Sequence, residues 1–428
     1  MKITIHRGID QIGGCITEIA TDKARILIDF GQNLPDNNVI STDEFATPEK
    51  VAGLTNGVDA IFYTHYHGDH IGLFHLVPDD VRQYIGGVAK HVTLRKHTQL
   101  GFIPGREEFS EKEIAKLNGM ITFEAQEIIE VGDIRVIPYF VSHSACDSYM
   151  FVIEAEGKRI LHTGDFRDHG YLGKGLMPTI EKLILPKGDI DILITEGTLL
   201  SRQGEKMKSE QELQREMIDI IRQYKNVFVL CSSTDMERLA TFYAANKKLG
   251  KRPFVCDGFQ KDILSIFTDT NGAKSPLFRF DNVYGFNPNN TKLVDWMVGE
   301  GFCMLVRATP KSNKFEAYVK YLLPLLEPEN TVIIYSMWGE YINPQSSHQN
   351  RAHLDFLSLF PAVKHLHTSG HASMDCLARI CIATNPISAI IPIHSEQSSA
   401  YQNLPISEEL QSKVIVQSCS IKGIEIVR

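Results

Sequence analysis

The motif "HYHGDH" places four side chains that bind metal ions within six consecutive residues. In an extended segment alternate residues face the same side, so we expect His65 and His67 to point together. Gly68 then allows the chain to turn, and Asp69 and His70 should face a neighbouring position. Imidazole and carboxylate ligands suit zinc and also manganese or iron, and two adjacent pairs of ligands predict two metal ions.

Three further candidate ligands come directly after apolar segments that are typical of β-strands. His143 follows "VIPYFVS", Asp165 follows "RILHTG", and His394 follows "AIIPI". Taken alone, each side chain is typical of a turn or a cap. Because functional side chains are often mounted where a rigid strand meets a loop, each becomes a candidate ligand beside the histidine cluster. The carboxylate of Asp165 is suited to bridge two cations.

The elements that must position these side chains change in kind along the chain. Residues 1–200 contain short apolar segments, typical of β-strands, that end in polar residues. From residue 201 strand-like and helix-like segments alternate, which predicts a parallel α/β unit. Its first helix begins with the capping-box pattern of Ser209 and Glu212. From about residue 365, polar residues again follow strand-like segments.

Composition restricts the class of protein. The chain is 43% hydrophobic and 22% charged, which is ordinary for a globular protein. No apolar run approaches the ~20 residues of a membrane span, and the first residues, "MKITIHRGID", lack the apolar core of a signal peptide. The eight cysteines have no CxxC spacing, so we expect neither disulfides nor a thiolate zinc site, and we expect a reducing, cytoplasmic location.

The charge distribution bears on the partner. The net charge of −8 argues against a protein that coats nucleic acid indiscriminately. Residues 201–364 carry 21 Lys and Arg against 18 Asp and Glu, whereas the rest of the chain is acidic. The mildly positive segment could face an anionic substrate, and ordinary variation of the surface explains it equally well.

Taken in order, these motifs resemble the metallo-β-lactamase superfamily. The resemblance rests on "HYHGDH", His143, "TGDF" around Asp165, and the late His394. The long segment between Asp165 and His394 resembles the insertion of the β-CASP nucleases, the branch that contains ribonuclease J and the endonuclease of mRNA 3′-end cleavage. Three short motifs support this branch: "ITEGT" with Glu196 resembles its motif A, "TSGHA" with His371 its motif B, and "IPIHSE" with His394 its motif C.

The resemblance implies an α/β fold, namely a metallo-β-lactamase αββα sandwich with an inserted β-CASP parallel α/β domain. Residues 1–200 would form the first part of the metallo-β-lactamase domain. Residues 201–365 would form the inserted domain, and residues 366–428 would return to the first domain.

The same resemblance implies a ligand set and a cofactor. Two zinc ions per chain are expected, with manganese as the alternative metal. One ion would be held by His65, His67 and His143, the other by Asp69, His70 and His394, with Asp165 between them. Asp29, which ends "ILIDF", matches an aspartate that orients a ligand imidazole, and its alternative is an ordinary turn aspartate.

The implied activity is hydrolysis of RNA by a dinuclear-zinc phosphodiesterase. A metal-activated hydroxide would attack the phosphodiester, with Asp69, Glu196 and His371 in the catalytic roles. His371 resembles the general acid that protonates the leaving oxygen, and Glu196 resembles the carboxylate that orients it. For Glu196 the alternative is an acid at a helix end.

Other residues could contact the substrate. Ser233 and Arg238 lie where a strand-like segment meets a helix, and Ser369 lies in "TSGHA". These three are candidate contacts for a substrate phosphate, and a plain helix cap is the alternative for Ser233. The aromatic residues of "YSMWGEY" could stack on bases or pack between the two domains.

The sequence departs from ribonuclease J in three places. At motif A it has Glu196, as in the branch that processes mRNA 3′ ends, instead of the aspartate that is common in ribonuclease J. "HSE" replaces the usual "HGE" at the last motif, and only 34 residues follow His394, where those proteins continue into a further domain. The expected partner is single-stranded RNA, cut by an exonuclease or an endonuclease, with DNA and a homodimer left open and no membrane. The alternatives are a hydrolase of a small ester, thioester or nucleotide and a non-catalytic scaffold.

Overall fold

The structure is a computed structural model that describes residues 1–34, 43, 45–201, 207–308, 314–421 and 423–427. The described chain divides into two compact units. The first unit contains the described residues of 1–201 and 370–427, and the second contains those of 207–369.

The strands occur in both units. In chain order they are β1 (Lys2–Arg7), β2 (Ile16–Ala20), β3 (Arg25–Ile28), β4 (Ala60–Phe62), β5 (Arg82–Gly86), β6 (Ile121–Phe123), β7 (Ile129–Val131), β8 (Ile134–Val141), β9 (Ser148–Ala155), β10 (Lys158–His162), β11 (Ile192–Glu196), β12 (Asn226–Cys231), β13 (Phe254–Cys256), β14 (Val283–Gly285), β15 (Phe302–Val306), β16 (Thr331–Ser336), β17 (Val363–His365), β18 (Ala389–Ile393), β19 (Cys419–Ile421) and β20 (Ile424–Val427).

Together with several short 3₁₀ segments and a π-helical segment at Ile180–Ile184, the helices are interspersed among these strands. They are α1 (Pro48–Thr55), α2 (Gly68–Ile71), α3 (Gly87–Leu100), α4 (Glu107–Gly119), α5 (Leu176–Thr179), α6 (Glu210–Gln223), α7 (Met236–Lys248), α8 (Gly258–Thr270), α9 (Thr291–Glu300), α10 (Lys314–Leu322), α11 (Arg351–Leu357), α12 (Met374–Thr384) and α13 (Glu408–Ser412). Among the described residues, no helix has both the length and the apolar character needed to cross a bilayer.

The first unit is built on two mixed sheets. Within the described chain one sheet has the order β19-β20-β1-β2-β3-β4-β5-β6, and the other has the order β18-β11-β10-β9-β8-β7. Alternate residues of β1 are buried, and Ile3 and Ile5 join one hydrophobic core with Ile153 and Ile192 of the other sheet. The opposite face of the second sheet packs through Leu193 on α12, so helices lie outside the paired sheets.

The second unit is a parallel α/β unit. Its sheet has the order β14-β13-β15-β12-β16-β17, and every pairing in it is parallel. Helix α6 begins with the predicted capping box, because Ser209 and Glu212 exchange side-chain and backbone hydrogen bonds. The predicted α/β fold class is confirmed.

The carboxyl ends of several strands place side chains for the candidate site. β10 pairs in parallel with β11, and β11 pairs in parallel with β18. Asp165 follows β10, Glu196 ends β11, and His394 follows β18. Because neighbouring parallel strands end at the same edge of a sheet, these three residues meet although the chain separates them widely.

Candidate metal centre

Three imidazoles converge at the first part of the site. The Nε2 atoms of His65 and His143 lie 3.1 Å from Nδ1 of His67, and the ligand atoms of all three fall within 4.8 Å of one another. Burial, reinforced by neighbouring imidazoles, lowers the pKa of His65 and of His143 well below the usual value. Burial also lowers the pKa of His67 to about 4. All three rings are therefore neutral at pH 7, which is the form that binds a metal ion.

A second group of donors surrounds Asp165. Its Oδ2 atom lies 3.2 Å from Nε2 of His70, 3.7 Å from Nε2 of His394 and 3.9 Å from Nε2 of His143. Asp69 Oδ2 lies 3.1 Å from Nε2 of His394. Oδ2 of Asp165 thus lies near imidazoles of both groups, as a bridging ligand would.

The charges of this group fit a cation. Burial raises the pKa of the Asp165 carboxyl, but the imidazoles of His394, His70 and His371 lower it by more, so that the net pKa lies well below its usual range. The carboxylate is therefore ionised. Within the described chain, the buried Nε2 atom of His70 makes no hydrogen bond of good geometry, although Oδ2 of Asp165 lies 3.2 Å from it. A divalent cation would satisfy this atom and the two carboxylates together, so the donor set fits zinc or a similar metal.

Asp29 fixes the orientation of His70. Its Oδ2 atom lies 2.7 Å from Nδ1 of His70, and its Oδ1 atom accepts a 2.7 Å hydrogen bond from the backbone N–H of Thr64. Asp29 is fully buried and has a φ of 62°. The carboxylate of Asp29 accepts a hydrogen bond from Nδ1, which leaves Nε2 of His70 facing Asp165. The structure thus places Asp29 against an imidazole of the candidate site, and its role in orienting a metal ligand stays a prediction.

Other ring nitrogens are oriented by groups that the sequence did not reveal. Nδ1 of His143 donates a 2.6 Å hydrogen bond to the carbonyl oxygen of Gly370. Nδ1 of His394 lies 2.8 Å from Oγ1 of Thr198. These partners lie far from the histidines along the chain. Thr198 belongs to "ITEGT" and Gly370 to "TSGHA", but neither was singled out as a partner of a ligand imidazole.

His371 and Glu196 form a pair beside Asp165. Nδ1 of His371 donates a 3.0 Å hydrogen bond to Oε2 of Glu196 and lies 3.6 Å from Oδ2 of Asp165. Burial lowers the pKa of His371, but the two carboxylates raise it by more, and the net shift is upward. Glu196 ends a strand and also accepts the backbone N–H of Phe166. It is therefore not an acid at a helix end.

Cys15 is a neighbour of the site that sequence reasoning missed. Its sulfur lies within 4.8 Å of ligand nitrogens of His70 and His394, and its backbone N–H donates to the carbonyl oxygen of Asp69. Burial raises the pKa of the Cys15 thiol well above its usual value. The spacing of the cysteines gives no signal for this position, because the thiol reaches the site through tertiary structure.

The candidate phosphate contacts lie in the second unit. Ser233 follows β12, and its carbonyl oxygen accepts a 2.9 Å hydrogen bond from Nε2 of Gln260. Asp235 caps α7, so Ser233 is not the cap of this helix. Ser369 is partly exposed.

Arg238 differs from the prediction. Its side chain is 2% exposed, and its guanidinium donates to the carboxylate of Glu210, to Oγ of Ser336 and to the carbonyl oxygen of Thr368. Because Glu210 neutralises its charge in the interior, Arg238 ties strand ends together instead of presenting a cation to a substrate phosphate.

The sequence of the chain is similar to those of known proteins. Residues 16–167 match the family model of the metallo-beta-lactamase superfamily. Ribonuclease J from Helicobacter pylori is 29% identical over 179 residues, and this match spans 40% of the chain but only 24% of that protein. An RNase J-like protein from Methanocaldococcus jannaschii is 23% identical over 350 residues, which cover 79% of the chain and 78% of that protein.

A solved structure shares the fold. A protein of unknown function from Enterococcus faecalis V583 matches with a TM-score of 0.69 and 20% identity, covering 92% of this chain and 94% of that one. Residues 16–167 therefore match the metallo-beta-lactamase superfamily, and the chain shares the fold of this solved structure. Its sequence is ribonuclease J-like.

Proposed function

We propose that the chain is a metal-dependent phosphodiesterase that cleaves RNA. The observation that carries this proposal is the convergence of two groups of imidazoles on Asp165, with the His371–Glu196 pair beside them. Its similarity to proteins named ribonuclease J favours a phosphodiester substrate over a small ester or thioester.

The proposed cofactor is a pair of zinc ions, with manganese as the alternative. His65, His67 and His143 would hold one ion, Asp69, His70 and His394 the other, and Asp165 would contact both. When bound, such cations supply Lewis acidity that activates water and neutralises charge on the phosphate.

His371 and Glu196 would then provide the proton that the leaving group needs. As the oxygen of water bonds to phosphorus and the bond to the 3′-oxygen breaks, the leaving oxygen needs a proton. His371, which is partly exposed and whose pKa is raised, is suited to donate it. Glu196 accepts the hydrogen bond from Nδ1, which keeps the ring protonated and aims the other nitrogen outward.

The second unit would supply the contacts to the rest of the substrate. We propose that residues 201–365 form a β-CASP insertion and that Ser233 and Ser369 contact RNA phosphates, whereas Arg238 only positions the loops that carry them. All eight cysteines are described by the structure and none is joined to another by a disulfide, which supports the proposal of a reducing, cytoplasmic location.

Metal content and cleavage can be measured on the same preparations. Protein purified without chelator is analysed by elemental mass spectrometry and incubated with end-labelled single-stranded RNA that carries a 5′-monophosphate. We expect about two zinc ions per chain and cleavage. Asp69→Ala should lose metal and activity, His371→Ala should keep the metal and lose activity by about 10²-fold or more, and His91→Ala, at an exposed position, should do neither.

The outcomes separate the alternatives. Bound zinc without cleavage of RNA or DNA would contradict the nuclease and favour a hydrolase of a small molecule. A preparation that takes up no zinc, manganese or iron would favour the scaffold. The lengths of the labelled products distinguish an exonuclease from an endonuclease.

A further inference from the structure

A cluster of aromatic side chains follows β16 in the second unit. We call Trp338, Tyr341 and His348 the aromatic platform. The rings of Trp338 and Tyr341 meet edge to face with centroids 5.3 Å apart, and the ring of His348 lies 5.1 Å from that of Trp338 at a tilt of 47°. Trp338 and Tyr341 are partly exposed and His348 is exposed, so the platform is in contact with solvent.

Hydrogen bonds hold the backbone of the platform. The carbonyl oxygen of Trp338 accepts hydrogen bonds from the hydroxyl of Tyr335, at 3.3 Å, and from the N–H of Tyr341, at 3.2 Å. Asn350 N–H donates to the carbonyl oxygen of Tyr341 at 2.7 Å. Nε2 of His365 donates to the carbonyl oxygen of Met337 at 3.0 Å. A loop held at four points is pre-organised, so a ligand that binds there orders little chain.

The platform lies at the edge of the sheet where ligands of parallel α/β units bind. β12, β16 and β17 are neighbours in a parallel sheet, so the residues that follow them share one edge. Arg238 ties this edge together, because it donates to Ser336 at the end of β16 and to the carbonyl oxygen of Thr368 beyond β17. Ser369, a candidate phosphate contact, comes next in the chain.

The chemistry of the platform favours one kind of occupant. Indole, phenol and imidazole rings each offer a flat face with a polar edge, which suits a nucleobase and tolerates any base sequence. The segment 201–364 has a net charge of +3, unlike the acidic remainder of the chain, so its overall charge does not oppose the binding of a polyanion. The loop also contains Glu340, whose carboxylate accepts hydrogen bonds from Asn343.

We infer that the aromatic platform stacks an unpaired base of single-stranded RNA, with Trp338 as its main contact. This inference rests on the proposed function and adds to it a binding site for a base, distinct from the phosphate contacts. It also explains why a large aromatic side chain is kept partly in solvent at the end of a buried strand.

Binding can be tested without cleavage. The affinity for a labelled single-stranded adenylate oligonucleotide is measured by fluorescence anisotropy in the presence of a chelator. Stacking on an aromatic ring predicts that Trp338→Leu weakens binding by about tenfold or more and that Trp338→Phe keeps most of the affinity. Trp296→Leu is the matched control, because Trp296 belongs to α9 and its Nε1 donates to the carbonyl oxygen of Lys251. Circular dichroism and thermal unfolding check that each variant is folded.

A second readout separates stacking from a merely structural role. The chain has two tryptophans, so Trp296→Phe leaves Trp338 as the sole indole emitter. The adenylate oligonucleotide should quench this emission, and an abasic oligonucleotide of equal length and charge should not.

The results distinguish the platform from the nuclease itself. If the unchanged chain cleaves and binds RNA while Trp338→Leu binds equally well, the platform is overturned and the proposed function stands. Equal quenching by the abasic oligonucleotide would also overturn it. If the unchanged chain neither binds nor cleaves RNA, the proposed function fails and the platform fails with it.

Discussion

At the residue scale, the hydrogen bond between Asp29 and His70 decides which imidazole nitrogen is left for a metal ion. Asp29→Asn would keep the shape and tolerate the positive φ of 62°, but it would remove the charge that holds the proton on Nδ1. We predict that the affinity for zinc falls about 10- to 100-fold. Competition with a chromogenic chelator measures this affinity.

The matched control is Asp22→Asn, which changes an exposed aspartate of the turn between β2 and β3. It should leave zinc affinity unchanged. If Asp29→Asn binds zinc as tightly as the unchanged chain, Asp29 is only a turn residue.

Sequence reasoning works at this scale when the chemistry is local. The motif "HYHGDH" contains four candidate ligands within six residues, and the structure brings their side chains together: His65, His67, Asp69 and His70. Cys15 lacks such a pattern, since only the fold brings its thiol to His70 and His394. The direction of a long side chain is also set by its partners, which is why the burial of Arg238 against Glu210 was not foreseen.

At the element scale, the segment that carries Asp69 and His70 depends on a close backbone contact with the segment after β3. Gly31 N–H donates to the carbonyl oxygen of Cys15, and Cys15 N–H donates to that of Asp69. A Cβ atom on Gly31 would overlap the carbonyl oxygen of Asp69. We predict that Gly31→Ala lowers the free energy of unfolding by more than about 2 kcal/mol and reduces bound zinc. Urea denaturation and elemental analysis measure the two effects.

Gly53→Ala is the comparison, since it lies in α1 and no atom approaches within 4 Å of its added Cβ. Alanine is the better helix former, so this variant should be more stable by up to about 1 kcal/mol. Equal stability of the two variants would mean that the segment around Gly31 moves aside without cost.

A cluster of charged side chains across three strands makes the stability of the first sheet depend on pH. Glu18 of β2 accepts hydrogen bonds at 2.7 Å from His6 of β1 and from Arg25 of β3. Burial raises the pKa of Glu18, but these partners lower it by more, to about 2. Because the folded-state pKa lies below the unfolded value of 4.5, the stabilisation is complete above pH 4.5 and is lost as the pH falls towards 2.

We therefore predict that Glu18→Gln lowers the free energy of unfolding by about 1–2 kcal/mol at pH 7. The difference from the unchanged chain should shrink as the pH falls from 4.5 to 3, and urea denaturation at several pH values measures it. Glu130→Gln, at an exposed position, should show no such dependence. A difference that stays constant down to pH 3 would mean that the charge of Glu18 does not stabilise the sheet.

The sequence predicts a helix or a strand well when the interactions that form it are local along the chain. Apolar periodicity and the Ser209 capping box are local, and the structure contains the corresponding strands and helix α6. Helix α2 was not foreseen, because a single turn of "GDHI" has no periodicity to read. The parallel pairing of β11 with β18 also escaped prediction, since it joins segments almost two hundred residues apart.

At the scale of the whole molecule, the two units differ in how the chain forms them. The first unit is discontinuous, and its ends meet where β1 pairs in parallel with β20. The described residues of the second unit lie within one stretch, Met207–Ser369, and have a hydrophobic core of their own that includes Phe228, Met304 and Ile333. A continuous segment of domain size with its own core is expected to fold alone.

We predict that a fragment of residues 207–369 folds cooperatively without the rest of the chain. Circular dichroism should show its α/β content, and urea should unfold it in a single transition. In this fragment Arg238→Met removes the cation that neutralises the buried carboxylate of Glu210, which keeps the hydroxyl of Thr241 as a hydrogen-bond donor, and this loss should cost about 3–5 kcal/mol. Arg222→Met removes an exposed ion pair with Asp219 and should cost less than about 1 kcal/mol. A fragment that stays unfolded would mean that the second unit needs the first in order to form its core, and the metal site and the parallel unit would then be one cooperative structure.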